Sequence, residues 1–138
     1  MKLRLLMMIL LGFICSNFSF AAPAPEKKEA PEEVSEYVEI PPISVAMYNK
    51  RKRPAGTMTV QMQLKIDDEK QRAVARKIMP RLKNAYMQET LKLALNFFDI
   101  NRPVNANILG RSLQNVTNQV LNHDQARVLI GDIAVSKR

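Results

Sequence analysis

Strict alternation of apolar and polar residues sets residues 57–66 apart from the rest of the chain. A period of two over ten residues is typical of a β-strand with one buried and one solvated face. The pattern therefore predicts a central strand in a small sheet. The apolar row consists of Met58, Val60, Met62, Leu64 and Ile66, and the polar row of Thr57, Thr59, Gln61, Gln63 and Lys65.

Two further segments have strand character. Residues 43–48 alternate and precede a loop, residues 49–56, in which Pro54 and Gly56 are typical turn residues. These features predict an antiparallel hairpin with a long loop. Residues 126–135 are apolar and β-branched, and their alternation slips at Gly131, which predicts a closing strand with a β-bulge.

Helical patterns fill the middle of the chain. Asp68, with Gln71 three residues later, predicts the capped start of a first helix with Val74 and Ile78 facing inward. Pro80 breaks or kinks that helix, because proline lacks an N–H and crowds the preceding turn. A second helix over 80–98 carries two apolar rows. The first row is Leu82, Ala85 and Tyr86, and the second is Met87, Leu91, Ala94, Leu95 and Phe98. We expect part of this surface to face another subunit.

Asn105 is the predicted cap of a third helix over 106–122. Its predicted buried stripe is Ile108, Leu109, Leu113, Val116 and Val120. The opposite, Asn- and Gln-rich face includes Gln114. The element order is then β-β-α-α-α-β. This order predicts an α+β domain over 42–138, with a small three-stranded, mainly antiparallel sheet and helices packed on one face.

The N-terminus has the pattern of an export signal. Lys2 and Arg4 precede an apolar stretch, and small residues at the −3 and −1 positions predict cleavage after Ala21. Residues 1–21 are thus interpreted as a signal peptide or, alternatively, as a short uncleaved anchor. Either interpretation predicts a periplasmic location, with attachment to the inner membrane if the segment is retained.

Charge and proline content divide the remaining chain. Residues 22–41 hold four prolines, six acids and two bases, which predicts a disordered Pro/Glu-rich linker; Tyr37, Val38 and Ile40 mark its first contact with the domain. Residues 42–138 carry 17 bases and seven acids. A basic domain suits nucleic acid, anionic lipid or an acidic protein. Export argues against nucleic acid.

Four adjacent cations mark the hairpin loop: Lys50, Arg51, Lys52 and Arg53. Two interpretations of this loop stay open. It is either a docking tip for lipid headgroups or an acidic protein surface, or a solubilising loop that protects a sheet edge.

Candidate catalytic residues are few. Asp67, Asp68 and Glu69 are explained by helix capping, and the single histidine, His123, is expected to cap a helix end. Cys15, inside the signal segment, is the only cysteine. These residues form neither a triad nor a zinc ligand set, so we expect a protein that is not an enzyme and has no cofactor or metal.

The domain resembles the FliL family of flagellar basal-body-associated proteins. The resemblance rests on an alternating strand (TMTVQMQLKIDDE), two helices (MPRLKNAYMQETL and NILGRSLQNVTNQVLN) and a closing strand (VLIGDIAV). The residues that carry it are Val60, Leu64, Pro80, Arg81, Leu113, Val116, Asn122 and Val135. It implies a stomatin-like periplasmic domain that self-associates around the stator of the flagellar motor.

From this resemblance we expect an exported protein-interaction module that is a homo-oligomer, associates with the flagellar basal body or stator, and supports motility. The alternative is a FliL-like periplasmic envelope scaffold unrelated to flagella, which contacts acidic lipid on the membrane surface through its basic loop.

Overall fold

The alternating stretch lies at the centre of the sheet. The computed structural model describes residues 35–138, in which β1 (Tyr37–Tyr48), β2 (Pro54–Lys65) and β3 (Arg127–Lys137) form one antiparallel sheet in the order β1-β2-β3. The apolar row from Met58 to Ile66 is buried, whereas Gln61 and Gln63 are exposed on the other face. The predicted central strand is confirmed.

Three helices connect β2 to β3. They are α1 (Glu69–Lys77), α2 (Met79–Asn96) and α3 (Ala106–Leu121), so the element order is β-β-α-α-α-β. Helix α2 packs against β1 and against α3, and α3 also packs against β3. The predicted α+β class, with helices on one face of a three-stranded antiparallel sheet, is confirmed.

Strand β1 begins earlier than predicted. It starts at Tyr37, inside the predicted linker 22–41, and Val38 and Ile40 are buried in the core. The pairing register with β2 shifts just after Ile40, where two prolines follow. Proline is tolerated there because β1 is an edge strand. At the register shift, moreover, these residues need not donate a backbone N–H to β2. The predicted domain start at residue 42 is therefore too late.

The hairpin loop is shorter than predicted. Strand β2 starts at Pro54, so Pro54 and Gly56 belong to the strand and not to the turn. Gly56 pairs with Met47 on one side and Lys137 on the other. A Cβ at Gly56 would overlap the Ser136 carbonyl oxygen and lie 2.5 Å from Cδ1 of Ile100. This close approach, and not a turn, explains the glycine.

The helix boundaries agree with the predicted signals. Asp68 accepts a hydrogen bond from the N–H of Gln71 at 2.8 Å and caps α1. Pro80 lies in the first turn of α2, where its missing N–H costs nothing. The Asn105 side chain accepts from the N–H groups of Asn107 and Ile108 at the start of α3.

The buried face of α1 differs from the prediction. Val74 is 46% exposed and Ile78 is half-buried, whereas Arg72 and Ala75 are buried. The Arg72 guanidinium donates to the carbonyl oxygens of Ile66 and Asp67, each at 2.7 Å. These bonds satisfy carbonyls where β2 ends. They draw the arginine inward and turn Val74 towards solvent.

The buried stripes of α2 and α3 are rotated from the predicted ones. The buried residues of α2 are Leu82, Tyr86, Thr90, Leu93 and Ala94, and those of α3 are Leu109, Leu113, Thr117 and Leu121. Ile108 is 42% exposed, and Met87 is exposed. Leu91 and Phe98 are partly buried against the core, and the expectation that part of the α2 surface faces a second subunit stays a prediction.

A polar pair lies between α2 and α3. The Thr117 hydroxyl donates to the Leu113 carbonyl at 2.8 Å, so the Tyr86 hydroxyl, 2.7 Å from Thr117 Oγ1, must donate to it. Burial raises the pKa of Tyr86 to about 12. The pair explains why threonine occupies a core position of α3.

Strand β3 contains the predicted bulge. Asp132 pairs with Gln61 and Ile130 with Met62, which leaves Gly131 without a partner on β2. Gln114 of α3 donates to the Ala126 carbonyl and accepts from the Val128 N–H. This half-buried side chain was expected to face solvent. It instead fastens α3 to the start of β3.

Part of the sequence prediction lies outside the described residues. The signal segment 1–21, its cleavage after Ala21 and the linker up to residue 34 belong to this part. Over residues 35–138, no helix combines the length and the hydrophobicity needed to cross a membrane.

Candidate functional site

The basic hairpin loop is a closed turn. The Asn49 side-chain oxygen accepts from the N–H groups of Arg51 and Arg53, at 2.9 and 3.1 Å, and its carbonyl accepts from the N–H of Lys52. Lys52 adopts a left-handed conformation with φ 58°. All four predicted loop residues (Lys50, Arg51, Lys52 and Arg53) are exposed, as expected.

One of the four cations has a fixed partner. The Lys52 ammonium donates to the Leu95 carbonyl oxygen at 2.6 Å, near the C-terminus of α2. A cation is favourable there because the helix dipole places partial negative charge on the last carbonyls. Lys52 thus fastens the loop to α2 and leaves Lys50, Arg51 and Arg53 projecting from the turn.

The fold brings further cations to the same end. Lys137 pairs with Gly56 in the sheet, and the Arg138 N–H donates to the Ala55 carbonyl at 2.9 Å, next to the hairpin loop. The Lys137 ammonium lies 3.4 Å from Oδ1 of Asn101, beside Arg102 in the α2–α3 connector. We call these seven exposed residues the basic end: Lys50, Arg51, Lys52, Arg53, Arg102, Lys137 and Arg138.

Acidic residues concentrate at the other end of the sheet. Lys65 there lies 3.5 Å from Glu36 and 3.7 Å from Asp67. The Asp67 carboxylate, followed by that of Glu36, raises the pKa of Lys65 above its ordinary value. At the basic end, Asp99 is half-buried and accepts from the Asn101 N–H at 2.9 Å. The far end therefore carries both signs of charge, because Lys65, Lys70 and Arg127 lie near its acids, whereas cations predominate at the basic end.

An exposed aromatic ring borders the basic end. Phe97 follows the last turn of α2, and its side chain is 68% exposed. The next residue, Phe98, packs against the core. Lys50, Lys52 and Phe97 line the same open hollow between the hairpin loop and α2.

Sequence reasoning found the hairpin loop but missed Phe97, Arg102, Lys137 and Arg138. Two consecutive phenylalanines at a helix end were the available signal for Phe97, since both rings cannot enter the core. The end of β3 lies beside the loop because β3 runs antiparallel to β2, and the sequence prediction did not include that direction.

The candidate catalytic residues have structural partners. Asp68 caps α1, and Asp67 pairs with Lys65. His123 accepts from the Gln125 N–H at 3.2 Å, in the turn after α3, while Asn122 forms the left-handed end of the helix. His123 thus orders the turn and does not cap the helix. Within residues 35–138, no group of three or more His, Cys, Asp or Glu side chains could hold a metal ion.

Comparison with known proteins adds no assignment: no protein-family model matches the chain, and a search of curated proteins returned no match.

Proposed function

We propose that this chain is an exported, non-catalytic protein-interaction module of the FliL type that self-associates, binds the flagellar basal body or stator, and supports motility. The proposal draws on the sequence resemblance and on the agreement between the expected and observed order of elements. It assigns the domain the task of contacting other proteins.

Five of the eight residues that carry the resemblance have a visible role in the fold, whereas Arg81 and Val135 are exposed and Val116 is half-buried. Val60, Leu64 and Leu113 are fully buried, Pro80 starts α2 and Asn122 ends α3. They support the proposed fold family more directly than they support a particular partner.

The outer edge of β3 is the feature that most supports protein association. Among the described residues no strand pairs with this edge, whereas the β1 edge carries Pro41 and Pro42. Gln114 occupies the β3 edge at Val128. The stretch after the Gly131 bulge keeps an accessible backbone, and Val135 is exposed there. Such an edge is a ready template for another strand, including that of a second copy.

The proposal is tested by deleting the chain from a flagellated host. Cells lacking the chain are expected to assemble flagella but to swim poorly, and the exported chain should purify with basal bodies. Complementation with the whole chain should restore swimming. Complementation with a chain lacking residues 2–21 should not, because that chain stays in the cytoplasm. Normal swimming without the chain would refute the flagellar role.

The basic end favours a second candidate function. An envelope scaffold unrelated to flagella would use a cationic surface on an exported domain to contact acidic lipid. Under this alternative the deletion leaves swimming intact, and the chain stays associated with the envelope. The first residue of the mature chain separates two forms of either function, since Ala22 indicates a released form and Met1 an anchored one.

A further inference from the structure

We propose that the basic end is a binding site for an anionic phospholipid bilayer, with Phe97 entering the interface between headgroups and acyl chains. The proposal rests on the export component of the proposed function and is independent of the flagellar component. It extends the hairpin loop to a surface built from three separate segments of the chain.

The charge arrangement suits a phospholipid surface. The hairpin loop, the α2–α3 connector and the end of β3 each contribute cations to one end of the domain. In the described structure, the side-chain cations of Lys50, Arg51 and Arg53 make no ion pair or hydrogen bond. They can therefore meet phosphate groups without first breaking a contact.

The contact between Lys52 and Leu95 holds the surface in shape. Its 2.6 Å hydrogen bond joins the hairpin loop to the end of α2, and Phe97 lies two residues beyond Leu95. Cations and aromatic ring are thus carried on connected elements. A bilayer interface accepts both, because apolar side chains enter the boundary of headgroups and acyl chains while cations stay with the phosphates.

The exposed ring favours lipid over other anionic partners. Single-stranded nucleic acid is bound by several aromatic side chains that stack on successive bases. Here Phe97 is exposed, whereas Phe98 packs into the core and Tyr48 is half-buried. A single exposed ring beside several cations matches a shallow membrane anchor better than a stacking platform.

Vesicle binding by the exported chain, as the cell processes it, tests the proposal. The probes are vesicles of phosphatidylglycerol mixed with phosphatidylcholine, and vesicles of phosphatidylcholine alone. We expect binding to the mixed vesicles only, falling steeply towards about 1 M salt, where the screening length drops to about 3 Å. Any contribution of the N-terminal residues is the same in all variants compared.

Two variants with equal charge change localise the site. The variant Lys50→Gln, Arg51→Gln, Arg53→Gln should bind on the order of 100-fold more weakly, since each interfacial cation is worth about fivefold. The control variant is Lys70→Gln, Arg76→Gln, Lys77→Gln. It removes three exposed cations from α1, which precedes the N-terminus of α2, whereas the basic end borders the C-terminus of α2. It should retain binding within several-fold. Equal losses in the two variants would overturn a localised site.

A tryptophan probe tests the insertion of Phe97. The chain contains no tryptophan, so Phe97→Trp introduces a single tryptophan whose emission can be excited selectively over that of the three tyrosines. Its emission should shift to the blue on mixed vesicles and be quenched by brominated acyl chains. Met87→Trp, on the exposed side of α2, is the matched control and should show neither effect. Phe97→Ala should weaken binding roughly tenfold, because the ring leaves water only in the bound state.

The outcomes separate this proposal from the others. Vesicle binding that survives the loop substitutions, or an unchanged emission of the Phe97→Trp variant on bound vesicles, would overturn it. A chain that ignores vesicles but shifts DNA or RNA would assign the basic end to nucleic acid, and one that ignores vesicles but binds a polyglutamate peptide would assign it to an acidic protein. Impaired swimming without vesicle binding overturns the lipid site alone, and vesicle binding with normal swimming overturns only the flagellar role.

Discussion

The hydroxyl of Tyr86 should make the stability of this domain depend on pH in a calculable way. It donates to Thr117 Oγ1 at 2.7 Å between α2 and α3, and the ring is fully buried. At neutral pH, Tyr86→Phe should cost about 1 kcal/mol of unfolding free energy, the usual net value of one hydrogen bond. Thr117 keeps its bond to the Leu113 carbonyl in the variant.

Raising the pH should erase that advantage. Burial raises the pKa of Tyr86 to about 12 in the folded protein, against about 10 in the unfolded chain. Between these values the folded state binds more protons than the unfolded state, so stability falls as pH rises. The slope is about 1.4 kcal/mol per pH unit, and the lead of the wild type over Tyr86→Phe should vanish near pH 11.

Urea denaturation followed by circular dichroism at a series of pH values measures the difference between the two proteins, so that lysine titration cancels. Tyrosinate absorbance offers a second readout, since the chain has no tryptophan to obscure it. The control Tyr37→Phe removes an exposed tyrosine hydroxyl and leaves the contact between α2 and α3 intact. A wild-type to Tyr86→Phe difference that stays constant up to about pH 11.5 would refute the buried contact between α2 and α3.

Two further substitutions test the sheet and the capping of α3. Gly56→Ala should lower the unfolding free energy measured in urea by about 2–4 kcal/mol, because the new methyl overlaps the Ser136 carbonyl and Ile100. The control Gly110→Ala, whose new methyl would lie 3.6 Å from the nearest side chain, should stabilise α3 and the domain by about 0.5–1 kcal/mol. An unchanged stability of Gly56→Ala would contradict the close approach of β2 and β3. Asn105→Ala should cost about 1 kcal/mol through loss of the bonds to the Asn107 and Ile108 N–H groups, and Asn105→Asp should preserve most of it; equal losses in the two variants would contradict the cap.

Local signals in the sequence were sufficient for most of the fold. The alternation of residues 57–66 located β2, and Asp68 and Asn105 located two helix starts. The slip at Gly131 located the β3 bulge. Each signal depends on neighbouring residues only. The alternation follows from the pleat of a strand, the caps from the local geometry of a helix start, and the bulge from the missing side chain of glycine. Such features need no knowledge of the remaining chain.

The missed features depend on contacts distant in sequence. Tyr37, Val38 and Ile40 were correctly expected to contact the domain, but their pairing as a strand was missed because two prolines follow, which an edge strand accepts. Val74 was predicted to be a core residue, but Arg72 is buried in its place because its guanidinium donates to the carbonyls at the end of β2. Gly56 resembled a turn residue because its close neighbours, Ser136 and Ile100, are far along the chain. Tertiary packing overrode the local preference in each case.

The basic end was only partly predictable for the same reason. Its hairpin loop is contiguous and was found directly, but Arg102 and Lys137 join it through the β2–β3 register and the connector. The sequence showed a net positive domain without showing where its charge lies. Phe97 was missed because helical spacing assigned the apolar surface to Phe98, and spacing does not show where a helix ends.

The chain enters the domain at the end opposite the proposed lipid site. Cleavage or retention of the signal segment therefore affects how the basic end can reach a membrane. Strand β1 starts at Tyr37 and runs 12 residues to the hairpin loop, so the first residue of the sheet lies roughly 40 Å from the basic end. Residues 22–36 span at most about 50 Å when fully extended. An anchored chain could therefore reach the bilayer with its basic end, at the cost of stretching the linker. A chain cleaved after Ala21 has no such constraint and would depend on the basic end for membrane contact. Salt-sensitive release of the exported chain from membranes is thus expected of the cleaved form, and salt-resistant retention of the anchored form.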